Sequence, residues 1–249
     1  MAGGYIPSAQ ICYNIPMVNR VIRFLVGYHF AWYFAFGLIS PIFAVFILKT
    51  IPGSTLQVVG LSATAYWVAR TLSTVPLSKF MDKTDGERDE FYFLLFGSII
   101  ISSVPLLYLL VHSARQLYLV EFIHGLANSM AVPAWRILFI DHLDKGKTGY
   151  EWSFEDIAVG LAIALSAYLG VVLAEHYGFN ILFIGISILN FTGVFFLLPL
   201  YRDSETLAEI KRIGKWPFIK ARRAVSNLAP VAKKDPLHKW PISKNKFMP

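Results

Sequence analysis

The chain has 249 residues, of which 55% are hydrophobic and only 16% charged, with a net charge of +7 and a mean hydropathy of +0.53. Soluble domains carry about 25% charged residues, and their helices show a polar face that most of the apolar runs here lack, so the composition excludes an ordinary soluble domain. The single cysteine, Cys12, excludes an intrachain disulfide, and no Cys/His cluster has metal-ligand spacing.

Residues 1–19 carry no Lys or Arg and read as a cytoplasmic N-terminal segment; the apolar run that follows is too long for a cleaved signal. Six apolar runs then follow, at about 22–48, 56–78, 91–112, 117–140, 154–175 and 180–200. Each is near the roughly 20 residues that a helix needs to cross about 30 Å of hydrocarbon. The breaks carry turn chemistry: Ile51-Pro52-Gly53-Ser54, the charged stretch from Asp82 to Glu90, Asp144-Lys145-Gly146-Lys147-Thr148-Gly149, and the tight His176-Tyr177-Gly178. The pattern predicts an all-α, polytopic membrane protein with a six-helix transmembrane domain over 20–201.

Basic residues set the orientation. Arg20, Arg23, Lys79, Lys83, Arg88, Lys145 and Lys147 fall on one side, and only Lys49 and Arg115 on the other. The first side is read as cytoplasmic and holds both termini of a multi-pass protein of the cell membrane. The tail, 202–249, holds 12 of the 23 Lys and Arg and 4 of the 16 acids, a net +8, so the rest of the chain is close to neutral. Such a tail is attracted to anionic headgroups. Leu207, Ile210, Ile213, Trp216, Phe218 and Ile219 among its bases would suit an interfacial helix, which Pro217 should break or restart; a solvated basic tail is the plainer reading. Nucleic acid is not an expected partner, because the charge sits at a membrane face.

Charged groups inside a span are costly unless they face a cavity or a partner, which makes them site candidates. Arg70 lies about 14 residues, or roughly 21 Å, into the second span from the outside. Two readings stand: it pairs with Glu155 or Asp156, or it meets an anionic substrate. Glu121, His124 and Asn128 share one face of the fourth span at i, i+3 and i+7. A carboxylate beside a histidine can exchange a proton near neutral pH; the alternative is a hydrated carboxylate at the interface. Glu121 is too far in depth from Arg70 for a direct pair. Tyr28, His29, Trp32, Tyr33 and Phe36 cluster on the first span, either to stack on a solute or to fill space.

The stretch Pro76-Leu77-Ser78-Lys79-Phe80-Met81-Asp82-Lys83-Thr84-Asp85-Gly86-Glu87-Arg88 resembles the loop between the second and third helices of the major facilitator superfamily. Asp82, Lys83, Gly86 and Arg88 match in kind, Ser78 replaces the usual first glycine, and one extra residue precedes Gly86. Gly37-Leu38-Ile39-Ser40-Pro41 is similar to that family's opening helix, Gly125 with Pro133-Ala134 and Asp141 to its fourth, and Tyr177-Gly178-Phe179-Asn180 to its fifth-to-sixth turn. Glu121 stands where the family commonly has an arginine, so that arginine's role is not carried over. The resemblance covers about 18–202, one half of the usual twelve helices.

The resemblance implies two three-helix repeats of inverted topology with a solute path near the midplane. Pro41 and Pro133, each late in the first helix of its triplet, would favour kinks. It also implies a cytoplasmic charge latch of Asp82, Lys83, Arg88, Arg136 and Asp141, against the plainer reading of weak surface ion pairs. Small residues recur at intervals of four: Ala162, Ser166, Gly170 and Ala174 on the fifth span, with Gly160 and Ala164 as a second row, and Ala65, Ala69 and Ser73 on the second. Such rows let helices approach closely. In the resembled family these two helices face the opposite half, so a homodimer or a separate second six-helix half is expected on 56–78 and 154–175; packing inside the bundle is the alternative.

The expected function is a half-size secondary transporter of a small solute, working by alternating access, with His29, Trp32, Tyr33, Arg70, Glu121, His124 and Asn128 along the path. The alternative is a non-transporting membrane subunit that anchors another complex. No enzyme is expected, since no nucleophile–base pair or metal set has usable spacing, and no cofactor is expected, since no P-loop is present.

Overall fold

The structure is a computed structural model that describes residues 18–81 and 88–201. Among these residues the chain is helical, with short turns and no strand. Helix α1 runs from Arg20 to Ile39, with Asn19 as its cap accepting from Val21 N–H. A short 3-10 turn, Ser40–Ile42, leads into α2, Phe43–Thr50. Pro41 lies in that turn, where its missing N–H and ring favour an interruption of the α-helix. The first membrane segment is therefore broken at the proline. Pro133, its expected counterpart, lies inside an unbroken helix.

Helix α3 spans Leu56–Met81, α4 Arg88–Tyr108, α5 Ala114–Asp141 and α6 Thr148–Phe195. Gly53 closes the first turn at φ 71°, a left-handed value that glycine adopts without steric cost. The Ser54 hydroxyl donates to the carbonyls of Ile47 and Ile51 there. Helix α6 holds two membrane segments, divided at Gly178, whose φ of 79° and ψ of 169° are not helical. The expected fifth turn falls at that residue. The third segment ends at Tyr108, a few residues short of the expected limit, because the chain turns through Leu109–His112 before Ser113 caps α5.

Among the described residues, three stretches have the length and hydropathy to cross a membrane on composition alone: Arg20–Thr50, Arg88–Tyr108 and Thr148–Phe195. Helices α3 and α5 are the more polar pair, and their polar residues, including Arg70, Glu121, His124 and Asn128, line the internal cavity described below.

Packing follows the repeat. Helix α1 packs on α6, α3 packs on α5, and α4 touches both α5 and α6. The first segment thus lies on the fifth and the fourth on the second, which are equivalent crossings of two inverted triplets. Small residues make both crossings close. A Cβ on Gly170 would overlap the Leu38 carbonyl, and one on Gly37 would overlap Ser166 Oγ. On the other side, a Cβ on Gly125 would meet the backbone of Tyr66 and the methyl of Ala69.

For part of the small-residue rows the alternative, packing inside the bundle, holds, while Gly160 and Ala164 of the second row are exposed. Ala162, Ser166 and Gly170 are buried, with Ser166 and Gly170 against α1, and Ala69 is buried against α5. They serve close packing within the bundle. The outer faces of the same helices carry large apolar groups instead, among them Leu56, Leu72 and Val75 on α3 and Ile157, Leu165 and Tyr168 on α6.

Polar ties join the helices. The hydroxyls of Tyr28 and Ser98 lie 2.7 Å apart between α1 and α4. The Trp135 indole donates to the Leu25 carbonyl at 3.2 Å, tying α5 to α1. The Ser187 hydroxyl donates to the Ser102 carbonyl between α6 and α4. Asp82 and Lys83, the N-terminal stretch 1–17 and the basic tail 202–249 lie outside the described residues.

Candidate functional site

The bundle holds a partly open cavity of about 450 Å³, walled by α1 and α6 on one side and by α3, α4 and α5 on the other. That lies within the 300–1,000 Å³ typical of small-molecule sites. His29, Trp32, Tyr33, Arg70, Glu121, His124 and Asn128, all singled out from sequence, line it. Tyr28 faces away and is bound to Ser98.

Arg70 takes neither expected carboxylate partner. Its guanidinium donates to the Tyr66 hydroxyl at 2.9 Å, one helical turn earlier. It also lies over the Trp67 ring at 5.1 Å, a cation–π distance. No carboxylate of the described residues lies within 4 Å of it. Glu155 is engaged elsewhere, and Asp156, one position on, is exposed. The pairing expected for Arg70 fails because helix rotation, rather than depth, decides which residues meet.

Glu155 pairs with His29. The ring Nδ1 and Oε1 lie 2.7 Å apart in a hydrogen bond, and both side chains are more than nine-tenths buried. The imidazole also stacks on Trp135, with centroids 3.6 Å apart and planes 9° from parallel. Three helices, α1, α5 and α6, thus converge on one imidazole.

Glu121 is buried, 5% exposed, and accepts from the Tyr108 hydroxyl at 2.6 Å. The His124 ring is 3.7 Å from its other oxygen. The two do share a helical face, and the carboxylate is buried in the bundle where it lines the cavity. Asn128 donates to the His124 carbonyl at 3.0 Å. As expected, Glu121 and Arg70 do not pair directly.

Tyr108, Trp135 and Asn190 were not singled out from sequence. Asn190 stands in an apolar run, the same signal that marked Asn128. It is 6% exposed, and its Oδ1 has no hydrogen-bond partner among the described residues. Of the expected latch charges, Arg136 lines the cavity and Asp141 ends α5, while Arg88 begins α4. Among the described residues no cluster could hold a metal ion.

The sequence profile of the Major Facilitator Superfamily matches residues 25–242. The chain belongs to this superfamily. No curated protein sequence matches it. Among solved structures, the in meso crystal structure of the POT family transporter PepTSo is similar, with a TM-score of 0.60 at 16% identity. That similarity covers 76% of this chain and 38% of the other, so this chain spans well under half of that transporter. At this identity the likeness concerns the fold alone.

Proposed function

We propose that this chain moves a small solute across the cell membrane by alternating access, as a six-helix unit completed by a second six-helix half. Both termini lie on the cytoplasmic side in this reading. The observation that carries it is the cavity, which Arg70, Glu121, His124 and Asn190 line within a largely apolar membrane bundle. Such groups are expensive in a membrane, and a solute path is what offsets the cost. We place the second half on the outer faces of α3 and the first arm of α6, whose large apolar side chains suit either a partner helix or lipid, and take it to be another copy of this chain.

Site-directed labelling tests the reading without knowledge of the solute. Ser40 and Val132 line the cavity towards opposite ends, on the first and fourth segments. In a Cys12→Ser background, Ser40→Cys should react with an impermeant maleimide from outside and Val132→Cys from inside. Blocking one with a bulky maleimide should slow reaction at the other several-fold. Independent rates at the two positions would mean a static cavity, and would favour a non-transporting membrane subunit.

A further inference from the structure

We infer that the cavity takes a small organic anion with a flat apolar body and a hydrogen-bond donor at the end away from its charge. This rests on the reading of the cavity as a solute site and names the class of solute.

The charge inventory comes first. The cavity is lined by two arginines, Arg70 and Arg136, and one carboxylate, Glu121. That carboxylate already accepts from the Tyr108 hydroxyl, with the His124 ring 3.7 Å from its other oxygen. Glu155, the next carboxylate inward, is held by His29. Arg70 has a hydroxyl and ring faces for company and no acid among the described residues. A guanidinium presents five donors and stays charged; the Tyr66 hydroxyl engages one nitrogen and leaves the remaining fork for a ligand. An anion meets that need, and a cation would face a net positive wall.

The second observation lies across the cavity. Asn190 is on the second arm of α6, whereas Arg70 is on α3, and the two helices belong to opposite walls. Asn190 lines the cavity, and its carboxamide oxygen is buried without a donor among the described residues, an unmet cost. A solute that donates a hydrogen bond at its far end would satisfy it. The rings of Trp32, Tyr33, Tyr66, Trp67 and Tyr108 line the same cavity and suit a flat body.

The test is binding to the full chain in lipid nanodiscs, read by quenching of tryptophan emission, since Trp32, Trp67 and Trp135 line the cavity. The probes are 3-(4-hydroxyphenyl)propanoate, 3-phenylpropanoate, 3-phenylpropanamide and phenethylammonium. Both carboxylates should bind at least tenfold more tightly than the amide or the cation, and the hydroxylated one more tightly than its parent. Arg70→Gln should abolish the preference for carboxylate over amide. Asn190→Leu should remove the advantage of the hydroxyl and leave 3-phenylpropanoate unchanged. Should Arg70→Gln fail to assemble, the carboxylate and amide affinities of the unsubstituted chain decide alone. Equal affinity for the two, tighter binding of the cation, or no binding of any probe overturns the inference. Carboxylate-selective binding with uncoupled labelling at Ser40→Cys and Val132→Cys would overturn the transport reading and leave this one standing. Coupled labelling without carboxylate preference would do the reverse.

Discussion

His29 and Glu155 meet at 2.7 Å where the first membrane segment packs on the fifth, with the imidazole lying flat on Trp135 of the fourth. The pair binds three helices together at a buried point, so its removal is first a stability experiment. Breaking a buried pair by deleting one partner leaves the other without compensation and costs about 3–5 kcal/mol. Replacing both with apolar groups of similar volume is often neutral. Glu155→Ala should therefore lower the thermal midpoint in detergent markedly, and His29→Phe/Glu155→Leu should recover most of the loss. A double variant as unstable as the single one would contradict this account of the pair.

The glycine contacts give a sharper contrast. Gly170 and Gly160 lie ten residues apart on the same arm of α6, yet only Gly170 meets a neighbouring backbone. Gly170→Ala must push α1 away at Leu38, an overpacking cost of about 1–3 kcal/mol. Gly160→Ala meets nothing within 4 Å, so it should be neutral or stabilising by up to about 1 kcal/mol through helix propensity. Thermal unfolding of the two single variants checks the pair. Equal effects would mean that the close crossing of α1 and α6 is not held by Gly170.

These two cases show what the sequence carried and where it stopped. The turns at Gly53 and Gly178 were legible because a positive φ needs a particular residue. Arg70, Glu121, His124 and Asn128 were legible because an ionisable or amide group in an apolar run is costly wherever it lies on the helix. Their partners were not, since Glu155 reaches His29 rather than Arg70 through the rotation of α6 against α1. Tyr108 and Trp135 were hidden for a related reason: in sequence, an aromatic residue that lines a cavity looks like one that fills a core. The small-residue rows gave the helices that make close crossings but not the neighbour each one meets.

The buried carboxylate of Glu121 depends on one strong donor. Tyr108→Phe removes the hydroxyl 2.6 Å from Oε1 and keeps the ring against Phe46 and Phe183. The packing survives and the buried acceptor loses its partner, a cost of about 1–3 kcal/mol. Tyr108→Phe/Glu121→Gln should lose less than the single Tyr108→Phe, because an amide is cheaper to leave in an apolar wall than a carboxylate. Denaturant or thermal unfolding of both variants in the same detergent decides it. A double variant that falls further than the single one would show that the Tyr108 hydroxyl does not serve Glu121.

The outer faces of α3 and α6 carry the last prediction. Leu72 is 70% exposed and Tyr168 74% exposed, on the two helices left with large apolar groups on the outside. Lipid would satisfy such side chains as well as a protein partner does, because bilayer tails are as apolar as leucine. An arginine discriminates between the two surroundings. On a lipid-facing helix it can snorkel towards the headgroups, whereas inside a helix interface it is buried without a partner. Native mass spectrometry of the chain released from lipid nanodiscs should show a homodimer. Leu72→Arg should convert it to a folded monomer with the His29–Glu155 crossing and the thermal midpoint intact. A dimer unaffected by Leu72→Arg would move the contact off α3. A monomer from the unsubstituted chain would remove the second copy as the completing half, leaving a different six-helix partner to close the cavity.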